Sequence, residues 1–65
     1  MTEKRLKALQ WLFDVHHLGM SGDEADAAGG IAPSRRMHDL LARDWLIDAN
    51  GRLTKLGLRS FNEAL

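Results

Sequence analysis

The pair Asn50-Gly51 narrows most what this chain can fold into. Leu46-Ile47-Asp48-Ala49 precede it, and Arg52-Leu53 and then Thr54-Lys55-Leu56-Gly57 follow. A two-residue hairpin turn that matches the twist of its strands needs positive φ at both central positions, and Asn-Gly supplies it at the least steric cost. The pattern predicts two short strands around a type I′ turn. They are entered from one helix and left into another, which Thr54 caps.

Helical signals fill the remainder. Leu6, Leu9, Leu12, Phe13 and His16 recur at i, i+3, i+4 spacing and predict an apolar stripe on a first helix over 2–18, with Thr2 as cap and Gly19 as stop. Ser21-Gly22-Asp23-Glu24 has the serine and the glutamate of a capping box, so a short second helix is expected over 22–28. Its apolar residues are Ala25, Ala27 and Ala28, and Gly29-Gly30 ends it. A third helix is expected over about 33–44, with Pro33 in its first turn or Ser34 as its cap, and with Met37 and Leu41 facing inward. The last helix should turn Leu56, Phe61 and Leu65 to the core. Gly57 inside it costs about 1 kcal/mol relative to alanine, which fits either a close backbone approach or simple tolerance.

Sixty-five residues make one domain, residues 1–65, with little core to spare. Trp11 and Trp45 are therefore read as core residues. An exposed Trp11, Leu40 or Trp45 would instead mark a partner surface. The chain has no cysteine, which excludes disulfides, thiolate zinc sites and thiol catalysis. His16, His17 and His38 have no ligand spacing, so no metal is expected. No glycine-rich phosphate loop or nucleophile elbow is present, and neither an enzyme, a cofactor nor a small-molecule substrate is expected. No apolar run is long enough to span a membrane, and no apolar segment follows the charged start. A cytoplasmic setting is the expectation. Nine basic and nine acidic residues give a formal net charge of zero, which argues against a non-specific nucleic-acid coat. The charges are uneven, however: 14–26 carry four acids and no base, and 27–65 carry six bases against four acids.

The order helix, short helix, glycine-containing turn, helix, tight hairpin, helix resembles the winged helix-turn-helix superfamily. The resemblance covers roughly residues 5–65. Leu41 followed by Trp45-Leu46-Ile47 stands where many members have a leucine and then Gly-Leu-Ile, and Leu53-Thr54-Lys55-Leu56-Gly57 is similar to the Leu-Thr-x-x-Gly that often closes the wing. Trp45 departs from the usual small residue, the wing is minimal, and the second helix is acidic. The resemblance implies a mainly α fold with a minimal β-hairpin as wing. It also implies that double-stranded DNA is the partner in transcription control, with the helix around 33–44 in the major groove.

On that reading Arg35 and Arg36 reach guanine edges, since Met37 and Leu41 point the other way. Ser34 caps the helix or binds phosphate, Arg52 contacts the groove or backbone from the wing, and Arg43, Lys55 and Arg59 are phosphate candidates. Asp39 shares the outward face, where a carboxylate is repelled unless it accepts from cytosine N4. So small a module implies a homodimer or a larger protein partner, with the helices over 2–18 and 54–65 as association surfaces. The alternative is a protein-binding module, an adaptor or a phage-type inhibitor of a host complex, since fold does not fix function. Asp23, Glu24 and Asp26 suit both the positive end of the helix dipole and a protein-binding face.

Overall fold

The computed structural model describes residues 1–64 and holds four helices: α1 (Glu3–His16), α2 (Gly22–Ala27), α3 (Arg35–Arg43) and α4 (Lys55–Ala64). Each starts where a side chain satisfies backbone donors that the helix itself leaves unpaired. Thr2 accepts from the Arg5 N–H, and Ser34 from Met37. Ser21 and Glu24 complete the reciprocal capping box. The Thr54 hydroxyl accepts from the Gly57 N–H at 3.0 Å and donates to the Trp45 carbonyl, which ties the start of α4 to the end of α3. Pro33 stands before the α3 cap rather than inside the first turn.

Helix α1 is the centre. It packs against each of the other three helices, and among the described residues no Cα atoms of α2, α3 and α4 come within 8 Å of one another's. The core joins Ala8, Leu9 and Leu12 of α1 to Leu41 of α3, Phe61 of α4, and Leu46, Ile47 and Leu53 between them. Residues 28–34 run across α1: the Ile31 N–H donates to the Lys7 carbonyl, and the Gln10 amide donates to the Ala28 carbonyl at 2.9 Å. Gly30 is required there, because a Cβ would lie 2.9 Å from the Trp11 Cα. Seven residues thus separate α2 from α3, where a helix-turn-helix has a turn of about three or four.

The winged helix-turn-helix fold expected from the sequence is not what forms. The described residues hold no sheet, and the wing is reduced to one antiparallel bridge, Ile47 with Leu53. The cause is room. Trp45 has only just left α3 and Thr54 already caps α4, so each arm has about two residues in which to pair.

The turn also differs from the type I′ expectation. Gly51 has φ 79°, while Asn50 is not among the positive-φ residues. The Gly51 N–H donates to the Asp48 carbonyl at 3.0 Å, and the Asp48 N–H to the Arg52 carbonyl at 2.9 Å. The Asp48 carboxylate accepts from the backbone of Asn50 and Arg52. This is a three-residue loop with glycine in the left-handed position, and the aspartate side chain stabilises it.

Two assignments to the core are corrected. Trp45 is 75% exposed, because α3 ends two residues before it, at Arg43, and the chain reverses there. Leu56 is exposed too: Gly57 and Phe61 are the residues α4 turns inward. Leu65 lies outside the described residues. Among those residues, no helix is long and apolar enough to cross a membrane.

Candidate nucleic-acid interface

Helix α3 sorts its residues sharply by side. Leu41 is fully buried, Met37, His38 and Leu40 are half-buried, and Arg35, Arg36, Asp39 and Arg43 are exposed. At 3.6 residues per turn these four fall within an arc of about 100°, opposite the Met37–Leu41 face. The N-terminal end of the stripe carries two arginines, and its C-terminal end a third. Asp39 lies between them at helical spacing but pairs with none, since the ion pairs among the described residues are Arg5–Asp44 and Lys7–Glu3. Ser34 is spent on the cap, its hydroxyl 3.2 Å from the Met37 N–H.

The other cations proposed from the sequence are exposed but lie off this stripe. Arg52 follows the turn, Lys55 opens α4, and Arg59 sits in the middle of α4. The turn itself lies against α3: a Cβ on Gly51 would come within 3.3 Å of the His38 Nε2 and 3.7 Å of the His16 ring. The bridge arms are too short to project Arg52 as a wing would.

The acids are distributed differently from the bases. Asp44 is held by Arg5 at 2.9 Å, and Asp26 accepts from the Trp11 indole at 2.8 Å. Glu24 closes its capping box, Asp48 its turn, and Asp14 is buried. Of the acids on and after α3, Asp39 and Glu63 have no partner among the described residues. Arg35, Arg36, Arg43, Arg52, Lys55 and Arg59 likewise have none. The net charge of zero therefore conceals a second half whose carboxylates are partly committed to the fold and whose cations are not.

Two features were not read from the sequence. The first is the backbone of Trp45, left-handed at φ 62° although the residue is not glycine. The Trp45 N–H donates to the Ala42 carbonyl and the Leu46 N–H to the Leu41 carbonyl, the bonding that ends many helices at a glycine. A glycine after Asp44 would have announced this turn; a tryptophan does not. The second is a cleft of about 210 Å³ between the start of α1 and the segment leading into α3, walled by Ala8, Ile31, Pro33 and Met37 with Lys4 at its edge. No three His, Asp or Glu residues are grouped to hold a metal ion among the described residues. No protein-family model, curated protein or solved structure matches the chain.

Proposed function

We propose that this chain binds duplex DNA through α3 and acts in transcription control. The observation that carries the reading is the stripe of Arg35, Arg36 and Arg43, exposed and without ion pairs among the described residues, on one side of a helix whose other side is anchored in the core. A helix with its side chains is about 10–12 Å across, a fit to a major groove roughly 12 Å wide. Arginine is the commonest reader of guanine, through paired hydrogen bonds to O6 and N7. Arg35 and Arg36, at the N-terminal end of α3, are assigned to bases, and Arg43 to the phosphate backbone. A cation that already had a protein carboxylate would have to give it up to bind phosphate; these do not.

The test is fluorescence anisotropy with labelled duplexes, beginning with the DNA flanking the chain's own gene, at two salt concentrations. Binding should weaken steeply with salt, because each phosphate contact releases counterions. The double variant Arg35→Ala/Arg36→Ala should keep its helical circular dichroism and lose at least about tenfold in affinity, since each paired base contact is worth roughly 1–3 kcal/mol. Binding that stays weaker than micromolar at low salt would reject DNA as the partner.

A further inference from the structure

We infer that Trp45 is the anchor of a weak symmetric dimer, in which each copy's indole enters the Ile31–Pro33–Met37 cleft of the other. Trp45 combines two costs that a monomer has no reason to carry. Its backbone is left-handed, at φ 62°, where any L side chain crowds the following carbonyl. The residue is also 75% exposed. Strain of this kind persists where a side chain serves a contact, and exposed aromatic surface marks where partners sit.

The same chain holds a receptor that fits. An apolar cavity of about 150 Å³ accepts a benzene ring. The cleft of about 210 Å³ has room for the fused rings of an indole, and its walls are almost wholly apolar. The one charged residue lining it is Lys4, which has no ion pair among the described residues. An ammonium group over an indole face is attracted by the ring's quadrupole, most strongly for tryptophan among the aromatic residues. Ile31, on the wall, is itself 53% exposed and would be covered by the incoming ring.

The segments that carry knob and hole are tied to each other. Arg5, next to Lys4, pairs with Asp44, next to Trp45, at 2.9 Å. Trp45 does not fill its own cleft, as its exposure shows. A two-fold axis between copies engages both pairs at once, the self-complementary arrangement of most dimers. Each tryptophan buries about 150–250 Å² and covers a similar area of wall. Two such contacts give roughly 600–1,000 Å², below the about 1,200 Å² at which stable interfaces begin. The dimer is accordingly weak. The inference does not depend on DNA binding.

Sedimentation velocity of the full chain without DNA tests it, over roughly 5–500 µM. The weight-average mass of the wild type should climb toward twice that of the monomer, with a blue shift of tryptophan emission. Trp45→Gly and Ile31→Asp should each stay monomeric throughout. Trp45→Gly should melt no lower than the wild type, so its loss of association cannot come from unfolding. A wild type that remains monomeric at the highest concentration overturns the proposal, as does association that survives in Trp45→Gly. Association lost in Trp45→Gly but kept in Ile31→Asp overturns the cleft as the receptor.

Discussion

Replacing Gly57 with alanine should unfold this protein more readily, although the same change in an ordinary helix stabilises it. Alanine in a helix interior is favoured over glycine by about 1 kcal/mol. Here the added Cβ would lie 1.9 Å from the Leu46 carbonyl oxygen and 2.9 Å from its carbon, where ordinary contact begins at 3.4 Å. The obstacle is backbone, so no rotamer change removes it, and α4 must back away by about 1.5 Å, the difference between 3.4 and 1.9 Å. Leu46 is buried, and its carbonyl accepts the Thr54 N–H at 3.0 Å, so the shift loosens core and cap together. Overpacking costs about 1–3 kcal/mol and the weakened hydrogen bond about 1 kcal/mol. After the propensity gain, the net loss is about 2–3 kcal/mol toward the upper end of that range, because backbone yields less than side chains. For a domain of this size that lowers Tm by roughly 10–20 °C. Thermal melts followed by far-UV circular dichroism measure it, with Gly22→Ala as the comparison. A Cβ on Gly22 meets the Trp11 ring at an ordinary 3.4 Å, so that variant should melt close to the wild type. A Gly57→Ala protein that melts at or above the wild-type temperature would refute the argument from close approach.

Three further outcomes follow from the same geometry. Trp45→Gly relieves the left-handed strain and removes a largely exposed side chain, so it should raise stability by about 0.5–1 kcal/mol, read as a higher melting temperature; a lower one would mean the indole packs where it stands. Asp39→Asn removes the one carboxylate from the arginine stripe and should tighten binding to random-sequence duplex several-fold in anisotropy; weaker binding would assign Asp39 to a cytosine instead. His16→Leu deletes the buried Nδ1, which has no hydrogen-bond partner, and should raise the denaturant midpoint by the equivalent of about 1 kcal/mol; a fall would show that the imidazole's packing against Gly51 outweighs its desolvation.

The cationic stripe was legible from spacing alone. Once Met37 and Leu41 are placed inward, helical geometry puts Arg35, Arg36, Asp39 and Arg43 on the opposite side, and all four are exposed there. What spacing could not supply is their freedom from ion pairs. That depends on Asp44 being drawn 39 residues away to Arg5, and on Asp48 being used by its own turn. Nor could it show the cleft, which is assembled from two segments far apart in the chain.

The sequence by itself determined the helices and their starts, because a cap is a contact between residues three apart and an apolar stripe repeats every turn. Thr2, Ser21 with Glu24, Ser34 and Thr54 all cap where local chemistry says they should. Tertiary structure decided the rest. Asn50-Gly51 favoured a hairpin, but a hairpin needs arms, and the space between the end of α3 and the cap of α4 leaves too little chain for a ladder. Trp45 and Leu56 had the hydrophobicity of core residues. Where α3 ends and where Gly57 meets Leu46 put them outside, since burial is set by what another segment covers and not by the side chain's own preference.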